Sequence, residues 1–138
     1  MKTILFACIH NAGRSQMSAA FFNAMVDSSL ARGISAGSEP GSRVHPEVVA
    51  AMKEVGIDLS SVHPQVVTPA MAASVDYLVT MGCGPICPTI PGVRREDWPL
   101  EDPKGKPVER VREIRDDVRK RIVGLIERFG VGRTATGS

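Results

Sequence analysis

The 138-residue chain has few aromatic side chains, with Phe, Trp and Tyr at 4%, and a formal charge of only +2. It contains no apolar run of the roughly 20 residues needed to cross a bilayer, so no membrane association is expected. So slight a charge, with no interleaving of basic and aromatic residues, leaves no footprint for nucleic acid. Repeats, linkers and a second domain are also missing. The start, MKTILFACIHN, has one lysine and a short apolar run that turns polar at once, which is not the pattern of a secretion signal. A cytoplasmic enzyme or carrier is the default expectation. Three cysteines, an odd number, argue against a disulfide scaffold and leave thiol chemistry open.

What is present suits one small α/β domain over residues 1–130, followed by a flexible tail at 131–138. Hydrophobic residues make up 43% and charged residues 23%, ordinary for a chain that buries its own core. Thr3 to Ala7 is unbroken and apolar, the pattern of a strand covered on both faces. From Ser15 the spacing of Met17, Ala20, Phe21, Ala24 and Met25 is helical, with Gly33 expected to break that helix. A short strand over Ile34–Gly37, a helix from Pro46 to about Val55, a helical piece through Ala73 and a buried strand over Asp76–Met81 follow. Val93–Trp98 is a candidate fourth strand. A long helix from Val108 repeats Val111, Ile114, Val118, Ile122, Leu125 and Phe129 at steps of three and four. Strands alternating with helices imply parallel pairing through right-handed crossovers. The expected fold is a small open four-stranded parallel sheet with helices on both faces, whose ligands collect beyond the carboxyl ends of the strands.

Cys8 stands at such an end. The residues after it, Ile9, His10, Asn11, Ala12 and Gly13, offer backbone N–H groups that can curl round an oxyanion, and the helix beginning near Ser15 points its positive end at the same place. Arg14 adds a planar fork matched to a tetrahedral anion. Gly13 permits close approach, and Asn11 can tie the loop to itself. A thiol held there beside Arg14 and the Ser15 hydroxyl is favoured as the thiolate, so Cys8 reads as a nucleophile. His10 is the one histidine inside this loop; His45 and His63 read as locally bonded or exposed.

The other two thiols, Cys83 and Cys87, lie in MGCGPICP, directly after a strand. Three cysteines without a histidine pattern fall short of a structural zinc site, and no metal is expected. A Gly-rich loop can instead carry one thiol to Cys8 while its partner resolves the resulting disulfide; two loop cysteines without a task remain the alternative. Farther on, DWPLEDPKGKP contains Asp97, Glu101 and Asp102. An acid opposite the anion loop can protonate a departing oxygen, although by spacing alone these acids are solvated charges or caps for the last helix. Trp98, Tyr77 and the methionines read as packing, with Trp98 also able to wall the site.

Cys8-Ile9-His10-Asn11-Ala12-Gly13-Arg14-Ser15, with Asp102-Pro103 far downstream, resembles the low-molecular-weight tyrosine phosphatase fold with its Cys-x5-Arg-Ser loop and Asp-Pro acid. Within that superfamily HNAGRSQM, SAGSEP, VTMGCGPICP and the Trp98–Pro103 stretch resemble arsenate reductases of the phosphatase-like type, and the likeness runs from Met1 to about Phe129. The resemblance implies that Cys8 attacks arsenate held by the loop amides and Arg14, and that Asp102 acts as general acid. It further implies that Cys83 attacks Cys8 to release arsenite, and that Cys87 moves the disulfide to Cys83 and Cys87 for reduction by thioredoxin. Similar proteins use mycothiol and a mycoredoxin instead, with Cys8 the sole essential cysteine. No bound cofactor is expected, only an external thiol reductant. Relatives that bind potassium use an acid on the first helix where this chain has Ala19, so that ion is not expected. Two rivals share the loop. A true phosphatase would use Cys8, Arg14 and Asp102 alike, and a phosphocarrier module would need neither the Asp-Pro pair nor Cys83 and Cys87.

Overall fold

The computed structural model of the protein describes residues 1–82 and 90–133. Four strands form one parallel sheet: β1 (Lys2–Cys8), β2 (Ala31–Gly37), β3 (Tyr77–Thr80) and β4 (Arg94–Asp97), in the order β2-β1-β3-β4. The helices are α1 (Arg14–Met25), α2 (Pro46–Lys53), α3 (Pro69–Ser74) and α4 (Val108–Phe129). β1 is central, which is why its sequence is apolar without alternation: its two faces serve two cores. Ile4, Phe6 and Cys8 meet Met17, Phe21 and Phe22 of α1, Val48 and Met52 of α2, and Val111, Val118, Ile122 and Leu125 of α4. Leu5 and Ala7 point the other way, to Ala36, Leu78, Val75 and Met71 of α3. Each large side chain taken fully out of water here contributes about 1.5–3 kcal/mol.

β4 has the opposite character. Its sequence is Arg94-Arg95-Glu96-Asp97, and it lies at the edge of the sheet. Its register is fastened from β3 by side chains: Tyr77 Oη donates to Glu96, and Thr80 Oγ1 donates to Asp97 Oδ1 at 2.8 Å.

Two expectations from the sequence are corrected. Gly33 does not end the first helix. α1 stops at Met25, and β2 begins at Ala31, so Gly33 is an interior strand residue. A Cβ on Gly33 would stand 3.0 Å from the Phe6 ring and 3.1 Å from the Phe22 ring, so close helix-to-strand packing explains the glycine. The chain after α4 is also not loose from residue 131. Gly130 takes a left-handed φ of 62° and donates to Glu127 O, and Val131 N–H reaches back to Ile126 O at 3.3 Å. This Schellman arrangement folds Val131 into the core, and Gly132 bridges to Val26. Residues 134–138, the rest of the predicted tail, lie outside the described residues.

Candidate active site

β1 delivers Cys8 to the carboxyl edge of the sheet, and Arg14 opens α1 directly after the loop. The segment after β2 shapes that loop by taking its carbonyls. Glu39 N–H donates to Ile9 O at 2.8 Å, Gly41 N–H to His10 O at 2.9 Å and His45 N–H to Ala12 O at 2.9 Å. With those carbonyls turned outward, the N–H groups of His10 to Arg14 have no protein acceptor among the described residues. The result is a concave row of donors at the positive end of α1, the arrangement that binds an oxyanion. Gly37 lies under it, where a Cβ would fall 2.5 Å from Ile9 O.

Asn11 is the fixed point of the loop. It holds a left-handed φ of 51°, a region where asparagine is tolerated. Gln65 N–H donates to its Oδ1 at 3.0 Å, and Gln16 Nε2 donates to its Oδ1 and to its backbone O, both at 3.1 Å. Because both partners can only donate, the amide has one orientation, with Nδ2 toward Ser15 Oγ at 2.7 Å. Ser15 Oγ therefore accepts from Asn11 and has its own proton left for Cys8 Sγ, 2.8 Å away. The loop thus aims a hydroxyl donor at the sulfur. All three side chains are buried.

Arg14 is buried. Nη1 donates to Leu100 O at 3.0 Å, and Nη2 lies 3.9 Å from Asp102 Oδ2. Gly82 packs on the guanidinium so closely that a Cβ there would sit 2.7 Å from Nη1, and its φ of 65° also suits glycine. The structure sorts the three acids that spacing left equivalent. Asp97 is held by Thr80, and Glu101 pairs with Arg110 and with Lys106. Asp102, partly exposed, lines the cup with Cys8, His10, Ala12, Gly13, Arg14 and His45.

Cys8, Arg14, Ser15 and Asp102 thus converge, and the loop from Ile9 to Gly13 surrounds them. Cys83 and Cys87 lie outside the described residues. His45, expected to be locally bonded or exposed, lines the cup; Pro46 at the first position of α2 marked it as a helix entry. The roles of Gln16 and Gln65 in holding Asn11 went unread. Trp98 does not wall the site, being buried against Phe6 with ring centroids 6.1 Å apart.

The family described as low molecular weight phosphotyrosine protein phosphatase matches residues 3–133. The chain belongs to that family. The glutaredoxin arsenate reductase of Synechocystis sp. is 37% identical over 132 residues, covering 94% of this chain and 99% of that protein. A solved arsenate reductase in its oxidized state superposes with a TM-score of 0.82 at 35% identity, over 93% of this chain and 98% of that one. The thioredoxin-dependent arsenate reductase of Corynebacterium glutamicum gives a TM-score of 0.77 at 37% identity, over 92% of this chain, which spans 61% of that longer one. Among the described residues no helix is long and apolar enough to cross a membrane.

Proposed function

We propose that this protein is an arsenate reductase whose nucleophile is Cys8. The loop amides and Arg14 hold the arsenate oxygens, the Cys8 thiolate bonds to arsenic, and Asp102 donates a proton to the oxygen that leaves as water. Cys83 then attacks Cys8 Sγ. A disulfide forms, the sulfur–arsenic bond breaks with its electron pair left on arsenic, and As(V) departs as arsenite, As(III). Cys87 next displaces Cys8 from Cys83, and the dithiol of thioredoxin reduces the Cys83–Cys87 pair. The electrons come from this external thiol, so the scheme uses no resident cofactor. Gly82, bonded to Cys83, contacts the Arg14 guanidinium, which supports placing the relay at this cup.

The observation that carries the reading is where the aromatic residues lie. Phe6, Phe21, Phe22 and Trp98 are buried, and Tyr77 packs edge-on to Phe129 at 4.9 Å. No Phe, Tyr or Trp lines the cup among the described residues, so nothing there grips the ring of a phosphotyrosine, whereas a bare tetrahedral oxyanion needs no such grip. The test is arsenite release from arsenate by the pure protein, with thioredoxin and its reductase in one arm and with mycothiol and a mycoredoxin in the other. Turnover with thioredoxin that Cys87→Ser abolishes supports the relay. Turnover only with mycothiol assigns the reaction to Cys8 alone. Arsenite release in neither arm, with hydrolysis of an aryl phosphate, overturns the reductase in favour of a phosphatase.

A further inference from the structure

The cup is small, about 10 Å³, close to the room that a single water needs. A second cavity opens beside it. It measures about 380 Å³, shares His10, Ala12 and His45 with the cup, and adds Arg43 and Lys104 to its walls. That volume falls in the usual range of small-molecule sites, about 300–1,000 Å³. A protein surface docking here would bring a broad face rather than a group of this size.

Its chemistry is cationic. Arg43 and Lys104 are exposed, and among the described residues neither has a carboxylate within ion-pair distance. His10 Nδ1 donates to Glu39 O at 3.0 Å, which fixes the ring on the wall shared with the cup. Two acids stand near it: Glu47, 4.0 Å from His45 Nδ1, and Asp102 in the adjoining cup, whose Oδ1 accepts from Lys104 N–H at 3.0 Å. Nothing in the reaction above uses Arg43 or Lys104.

We infer that this cavity binds the carboxylate of an anionic low-molecular-weight thiol and sets that thiol's sulfur on Cys8. The inference rests on the reductase reading and gives the route that needs Cys8 alone a carboxylate-bearing thiol in place of mycothiol, which carries no carboxylate. With the cup holding the arsenic adduct, the thiol enters from the adjoining space, over the shared wall of His10 and Ala12. Its thiolate attacks Cys8 Sγ, a mixed disulfide forms, the sulfur–arsenic bond breaks, and the electron pair stays on arsenic as arsenite leaves. A second molecule of the same thiol attacks the outer sulfur of the mixed disulfide, returning Cys8 as thiolate and carrying away the oxidised dimer. Two thiols lose two electrons in all, and arsenic gains them.

The experiment uses the full chain with Cys83→Ser and Cys87→Ser, so that only Cys8 reacts. Formation of the Cys8 mixed disulfide is timed by mass spectrometry with oxidised glutathione, whose carboxylates are the probe, and with uncharged 2-hydroxyethyl disulfide. These rates need no arsenate. Arg43→Glu with Lys104→Glu is compared with Arg119→Glu plus Lys120→Glu, two exposed positions on α4 that change net charge equally. The expected result is a fall of about tenfold or more for oxidised glutathione in the Arg43/Lys104 variant alone, since a like charge replaces an attractive one at short range. The rate for 2-hydroxyethyl disulfide should not change. Equal rates across all three proteins, or an equal fall in both charge variants, overturns the site. The same charge variants are also made in the chain with all three cysteines, where loss of thioredoxin-driven turnover alone overturns the site and assigns the patch to a protein partner. If charge-selective adducts form while no thiol supports arsenite release, the anion site stands and the reductase reading fails.

Discussion

Gly13 and Pro103 are in contact: a Cβ on Gly13 would stand 2.9 Å from Pro103 Cγ. The loop bearing the acid is thus seated on the rim of the cup, and the missing side chain at residue 13 sets the distance from Asp102 to Arg14. Gly13→Ala is expected to push Pro103 outward and carry Asp102 with it. Steady-state kinetics should show kcat falling by about tenfold or more, because small displacements of catalytic groups are costly, while the chain stays folded by circular dichroism. An unchanged kcat would mean that the acid loop finds its position without this contact.

Asp102→Asn retains the shape of the side chain and removes its proton. A positioned general acid is worth about 10²–10⁴-fold, so kcat for arsenite release should fall within that range with little change in KM. A loss under threefold would pass the acid role to another group.

Ser15→Ala removes the proton that the Asn11 chain directs to Cys8 Sγ. A hydrogen bond to a charged group is worth about 1.5–3 kcal/mol, so reaction of Cys8 with iodoacetamide at neutral pH should slow by about 10- to 100-fold. Ser15→Thr, which keeps a hydroxyl, should recover much of the rate, and failure to do so would point to packing.

Far from the cup, Glu54 joins α2 to α4 through Arg112 Nη2 at 2.6 Å and Arg115 Nη1 at 2.8 Å. The hydrogen bond from Arg112, and then that from Arg115, hold its carboxyl down to about 2 against an ordinary 4.5. A carboxylate depressed on folding stabilises above its unfolded value and loses that stabilisation as pH falls through its folded value. The melting temperature of the native protein should therefore drop between about pH 4.5 and pH 2 more steeply than that of Glu54→Gln. At neutral pH the variant should melt lower, and parallel profiles would show the cluster to be energetically idle.

The readable parts of the sequence were those where one local cause fixes the structure. β1 is an unbroken apolar run from Ile4 to Cys8 because it is central, and the repeat in α4 is regular because one face of a single helix is buried. The anion loop was legible for the same reason, since Cys8, Gly13, Arg14 and Ser15 act within eight residues of one another. Contacts between distant segments were not legible. Gly33 looks like a helix breaker until Phe6 and Phe22 are seen against it, and Val131 looks unanchored until Gly130 turns it back onto Ile126. The orientation of the Asn11 amide depends on Gln65, 54 positions away. Asp102 was separated from Asp97 and Glu101 only by resemblance; in the structure their partners separate them.

The charged outermost strand also bears on how the protein behaves in company. A parallel sheet that ended in an apolar strand would present an open ladder of amides to any other chain. Arg94, Arg95, Glu96 and Asp97 place a charge at every position of β4, so a fifth strand laid beside it would have to strip water from several ions at once. This edge of the sheet is thereby guarded against pairing with another chain, and the guard is built from residues that take no part in the chemistry.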